Sequence, residues 1–233
     1  MTKIYLLVSG PIRPNIDYVN DLINNFRKMI NNDVIVFLCY WEKDNIDKSL
    51  IKNVDYIFNE YEPEDKWVFE RISSRTKQQQ KLNPNIEHWT PRIYKMFYGI
   101  KKMVNIIEEK HLINDDDIVL RVRTDLYIED YNNIYFNNLL KNIEKNTIYN
   151  RIRGTCCDWF TVSTYKTFKK IWHIENDDIY NNTIKHLWNA EEIINYRSKL
   201  NKINIVNIRN IIKLCICREY NHSTKEKRLQ RYG

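Results

Sequence analysis

The chain has 233 residues, 43% of them hydrophobic and 13% aromatic, enough for one substantial core and too aromatic for a disordered chain. Only four glycines are present, which excludes a Gly-rich phosphate cradle. The net charge is +7, but Lys213 to Gly233 alone holds six Lys/Arg against two Asp/Glu, so the body up to Ile212 is near balance and lacks the basic face of a nucleic-acid-binding domain.

The first apolar run, Ile4 to Val8, is shorter than the ~7–15 residues of a secretory signal core. No run approaches the ~20 apolar residues of a membrane span. With five cysteines, an odd count, these features lead us to expect reduced thiols and a cytoplasmic protein. Cys156-Cys157 and Cys215-x-Cys217 lack the usual zinc spacing and read as small buried hydrophobes.

In chain order, Lys3 to Ser9 reads as a buried strand stopped by Gly10-Pro11. Ile16, Val19, Leu22, Ile23, Phe26 and Ile30 recur at helical spacing. Asp33 to Tyr40 and Val54 to Phe58 read as further strands. Glu60 to Glu87 is polar and aperiodic, a long loop suited either to a lid or to a passive insertion. Thr90-Pro91 predicts the start of a helix that carries Ile93, Met96, Phe97, Ile100, Val104 and Ile107 and ends near His111. Strands are expected over Ile118–Arg123, Thr147–Asn150, Trp159–Ser163 and Ile203–Val206. Helices are expected over Tyr135–Ile143, Tyr165–Trp172 and Ala190–Leu200. The alternation predicts one doubly wound α/β domain with a mixed, mostly parallel sheet over residues 1–215, and a basic tail over 216–233. That tail reads either as a solvated terminus or as a contact for an anionic surface.

The chemistry-bearing residues concentrate at strand ends. In Ile118-Val-Leu-Arg-Val-Arg-Thr-Asp125, alternation puts Arg121, Arg123 and Asp125 on one face. Such charges are unfavourable on a central strand unless they are paired or bind a ligand. Asp125 lies at the carboxyl end, where open α/β sheets bind ligands, and suits a divalent ion held against a diphosphate. An internal ion-pair ladder is the alternative. Asp115 and Asp117 also form an Asp-x-Asp pattern but sit at the amino end of that strand, so we read them as a solvated turn. The turn Ser9-Gly10-Pro11-Ile12-Arg13 closes the first strand, and Arg13 offers a phosphate contact. Arg92 and Lys95, read as the first turn of the Pro91 helix, offer an anion grip or are plain surface charges. Asp158 beside Trp159 suits sugar binding, with the ring stacking and the carboxylate accepting hydroxyls or acting as a base. Glu191 and Glu192 open the last helix, where acids also simply match the dipole.

The order of these motifs is Ser-Gly-Pro-x-Arg, Cys39-Tyr-Trp41-Glu42, Arg92 with Tyr98-Gly99, Leu120-Arg-Val-Arg-Thr-Asp125-Leu, Asp158-Trp-Phe and Ala190-Glu-Glu. It resembles glycosyltransferases of the GT-A fold, most similarly the WavE-like lipopolysaccharide and capsule synthesis group and related viral enzymes. The Asn-, Ile-, Lys- and Tyr-rich composition also resembles that of AT-biased genomes such as those of giant viruses. The resemblance implies a nucleotide-sugar donor at Ser9 to Arg13, with Trp41, Arg92, Lys95, Arg121 and Arg123 around it, and a glycan or glycoconjugate acceptor near Trp159. It implies Asp125 as ligand to Mn²⁺ or Mg²⁺, and Asp158, Glu191 or Glu192 as the catalytic base or the acid that binds the acceptor. Arg123 stands where the first acid of the family's Asp-x-Asp belongs, so either one carboxylate holds the metal or the arginine supplies part of its charge. The alternatives are a non-catalytic nucleotide- or glycan-binding module of the same fold and a nucleic-acid-binding protein using the basic tail.

Overall fold

The computed structural model describes residues 2–31, 33–64, 85–153, 155–174 and 190–216, with backbone alone at 85–91, 152–153, 155–156 and 215–216. Nine strands are described: β1 (Ile4–Ser9), β2 (Val34–Trp41), β3 (Tyr56–Glu60), β4 (Ile118–Arg123), β5 (Leu126–Tyr131), β6 (Thr147–Arg153), β7 (Thr155–Thr164), β8 (Asn204–Asn207) and β9 (Ile212–Ile216). The helices are α1 (Ile16–Met29), α2 (Asn85–Glu109), α3 (Asn133–Lys141), α4 (Tyr165–Trp172) and α5 (Ala190–Leu200).

Seven strands form one sheet in the order β3-β2-β1-β4-β7-β6-β8. The pairs β3·β2, β2·β1, β1·β4 and β6·β8 are parallel, and β7 runs antiparallel to both its neighbours. The sheet is therefore mixed and mostly parallel. Central strands are buried on both faces, as crossover helices demand. In β1, Ile4, Leu6 and Val8 face a core shared with α1 and α3, while Tyr5 and Leu7 face a second core shared with α2, α4 and α5. Each such fully buried aliphatic side chain contributes about 1.5–3 kcal/mol.

Local chemistry explains the element ends. The Asn15 side chain accepts the Tyr18 N–H at 3.0 Å and caps α1, with Asp17 in its first turn and Arg27 and Lys28 in its last. α2 crosses β2 closely because residue 99 is glycine: a Cβ there would lie 2.9 Å from Trp41 Cη2.

Three expectations change. α2 starts at Asn85, so Pro91 falls in its second turn, where it donates no hydrogen bond to the preceding turn. β5 and β9 were not expected, yet they pair antiparallel as a two-stranded sheet. Ile212 and Leu214 of β9 are buried in the first core, and the strand runs to Ile216, one residue past the expected end of the domain. The remainder of the basic tail, the centre of the proposed lid (65–84) and residues 175–189 lie outside the described residues. Among the described residues, no helix is long and apolar enough to cross a membrane.

Candidate functional site

The chain runs β1 to β2 to β3 toward one edge, then returns through α2 to place β4 on the other side of β1. Strand order thus reverses between β1 and β4, and the crevice beyond their carboxyl ends is where such sheets seat ligands.

Hydrogen bonds tie three chain segments together there. Gly10 N–H donates to the Cys39 carbonyl at 3.1 Å, and Ile12 N–H donates to Asp44 Oδ2 at 3.0 Å. The Thr124 hydroxyl donates to the Pro11 carbonyl. Gly10 has φ +136°, and a Cβ would stand 3.1 Å from Thr124 Oγ1, so both the backbone conformation and the space require glycine. Ser9 is buried, and its hydroxyl has no partner among the described residues. Arg13 is exposed.

β4 ends at Arg123, two residues earlier than the shared face of Arg121, Arg123 and Asp125 requires. Thr124 and Asp125 form a turn into β5, and that turn folds the Asp125 carboxylate back onto Arg123. Arg123 Nε donates to Asp125 Oδ1 at 2.9 Å and Nη2 to Oδ2 at 2.7 Å, a bidentate fork. Arg123 Nη1 donates to Asp158 Oδ2 at 3.3 Å. Burial opposes the charge on Arg123, but the fields of Asp125 and Asp158 outweigh it and raise its pKa.

Asp158 reaches this end because β7 runs against β4. A register shift between β6 and β7 follows Asn150, whose buried side chain brackets Cys157: Nδ2 donates to the Cys157 carbonyl at 2.8 Å, and Oδ1 accepts the Cys157 N–H at 2.9 Å. Bulges of this kind re-aim side chains beside functional sites. The Cys157 thiol is pushed up to about 12 by burial and by Asp158, so it stays protonated and is no nucleophile. Glu191, in the first turn of α5, completes the group. Burial raises its pKa, and the negative charge of Asp158 raises it further, against the opposing pull of Arg123.

Arg121 lies one pleat behind, fully buried, with its guanidinium 4.6 Å from the Trp172 ring centre. None of its side-chain nitrogens has a hydrogen-bond partner among the described residues. Burial pulls its pKa down to about 10, with Asp158 as the main opposing influence. A buried charge without hydrogen bonds is strongly unfavourable and marks a site of function or of ligand-dependent pairing.

The structure thus gathers Ser9, Gly10, Pro11, Arg121, Arg123, Asp125, Asp158 and Glu191 at one strand-end crevice. Other expected residues sit differently. Trp41 is buried, with its ring packed against Gly99. Arg92 is exposed in the second turn of α2, and Lys95 pairs with Glu62 at 3.2 Å, so neither stands at a helix N-terminus. Trp159 is half-buried, with the Arg151 guanidinium 5.5 Å from its ring. Glu192 adjoins Glu191 in the same first turn. Asp117 is a buried cap rather than a solvated acid, accepting Lys3 N–H and Asn114 N–H at 3.0 Å each. The sequence reading missed Asp44 and Asn150; Asp44 was signalled only by an acid closely following a strongly apolar strand.

Asp125, the expected metal ligand, has both oxygens engaged by the Arg123 fork, and Asp158 shares the same guanidinium. Among the described residues, no three His, Cys, Asp or Glu side chains converge as a metal-binding set. As arranged, these residues do not fit a divalent cation, which needs several free oxygen ligands.

No family model and no curated protein sequence matches the chain. Among solved structures, it is similar to a 4-diphosphocytidyl-2C-methyl-D-erythritol synthase at 8% identity and a TM-score of 0.48, covering 98% of this chain and 99% of that one. It is also similar to the galactosyltransferase LgtC, solved with donor and acceptor sugar analogues, at 12% identity and a TM-score of 0.43, covering 83% of this chain and 69% of that one. The α/β architecture rests on the observed strand order rather than on either likeness.

Proposed function

We propose that the protein transfers a sugar from a nucleotide-diphosphate sugar to a hydroxyl of a glycan or glycoconjugate. The observation that carries this reading is the convergence, at the strand-order reversal, of a Gly10 turn with two arginines and three acids on separate elements. The leaving diphosphate gains negative charge as the anomeric bond breaks, and preorganised cations lower that barrier. Arg123 is held for this task by Asp125 and Asp158. Glu191, whose pKa burial raises, suits the general base better than Asp158, which Arg123 engages by hydrogen bond. In an inverting reaction its carboxylate would take the acceptor hydroxyl proton as the oxygen attacks the anomeric carbon.

One observation favours a non-catalytic binding module instead: Arg123 already engages both oxygens of Asp125. That reading predicts nucleotide binding with no donor consumed. The deciding experiment incubates the protein with a panel of UDP-, GDP-, CMP- and dTDP-sugars and glycan acceptors, following donor loss by chromatography. Acceptor-dependent loss, reduced about 10²–10⁴-fold in Glu191→Gln, supports transfer. Nucleotide binding without donor loss sinks it in favour of the module.

A further inference from the structure

We infer that Arg123, backed by Arg121, takes the place of a divalent cation in neutralising the donor diphosphate, so that donor binding here is independent of metal. The inference rests on the transferase reading above and specifies how that site meets its anion.

The guanidinium carries five N–H donors in a planar fork. Three are used inward, two on Asp125 and one on Asp158. One N–H on each terminal nitrogen has no partner among the described residues, and the Arg123 side chain keeps 25% of its surface exposed, so a phosphate oxygen has access to the guanidinium. A metal ion would bridge carboxylate to phosphate in the same way; here the bridge is covalently part of the chain. For an ion to use Asp125, it would have to compete with the fork for the carboxylate and sit beside two guanidinium charges. Arg121 adds positive potential from behind without an ion-pair or hydrogen-bond partner of its own among the described residues. Asp125 and Asp158 balance the charges of the two arginines, and the outward side of the Arg123 guanidinium is what an anion meets.

The test has two arms. Calorimetric titration with Mn²⁺ alone should give no saturable site in the native protein. Arg123→Gln frees both carboxylates and should create one such site, lost again in Arg123→Gln with Asp125→Asn. Arg123→Lys serves in its place if the glutamine variant does not fold, and should also admit Mn²⁺, because one ammonium cannot hold three carboxylate contacts in a fork. In the second arm, thermal shifts with UDP, GDP, CDP, ADP and dTDP are read in EDTA and in Mn²⁺. Equal shifts in both support the inference. A saturable Mn²⁺ site in the native protein that Asp125→Asn abolishes, or a shift that needs Mn²⁺, overturns it and leaves the transferase reading standing. No shift with any nucleotide in either condition overturns both.

Discussion

Replacing Arg121 by methionine tests whether a buried charge is kept for a ligand rather than for the fold. Its pKa is pulled from the ordinary arginine value to about 10. At about 1.4 kcal/mol per tenfold change in proton affinity, that displacement amounts to about 3 kcal/mol against the charged form. The contact with Trp172 offsets part of this, since a desolvated cation over a ring is worth about 2 kcal/mol. A methionine keeps much of the volume and regains a sulfur–aromatic contact of about 0.3–1.5 kcal/mol. The net expectation is that Arg121→Met stabilises the unliganded protein by about 1–3 kcal/mol, within the range seen when buried ions are replaced by apolar side chains. For a chain of this length that is a rise in Tm of about 2–4 °C per kcal/mol. Thermal unfolding at neutral pH, followed by circular dichroism, reads it directly. The same variant should lose most of the thermal shift produced by a nucleoside diphosphate. A fall in Tm combined with an undiminished nucleotide shift would refute the reasoning, and would show Arg121 to be a structural ion with satisfied partners.

Glu191→Gln should change stability in a pH-dependent way. The folded state raises the Glu191 pKa, so the native protein loses stability as pH rises from the ordinary carboxylate range through the raised value. Urea midpoints of variant and native protein should therefore coincide at acid pH and diverge above that window, with the glutamine variant the more stable. Gly10→Ala must adopt φ +136° against Thr124 and should lose about 1–3 kcal/mol by urea unfolding. Asn150→Ala leaves both peptide groups of Cys157 without their partner; we expect a loss of about 1–3 kcal/mol by the same measurement, together with a weaker nucleotide shift as Asp158 is no longer aimed. Leu6→Ala, far from the crevice but fully buried, should cost about 2–5 kcal/mol and leave the nucleotide shift of the remaining folded protein intact.

Local patterning alone settled much of the architecture. β1 and β2 are nearly continuous apolar runs because both their faces are covered, and α1 and α4 carry stripes at helical spacing with their own caps. Those signals lie within a dozen residues, so no partner is needed to read them. The positions of Gly10, Arg123, Asp125 and Glu191 at element ends were legible for the same reason, whereas Asp158, expected just before a strand, lies inside the longer β7. β5 and β9 were not: they are short, one adjoins a basic tail, and they pair across more than eighty residues of chain. The start of α2 was misplaced because Pro91 is a favourable first-turn residue that a longer helix also tolerates. Which charges pair was decided by the fold. The turn at Thr124 returns Asp125 to Arg123, the antiparallel run of β7 and its shifted register bring Asp158 to the same guanidinium, and the packing of Trp172 leaves Arg121 buried beside them. Each of those contacts joins segments whose proximity depends on strand order and register, and these are set by long-range packing rather than by any stretch of neighbouring residues.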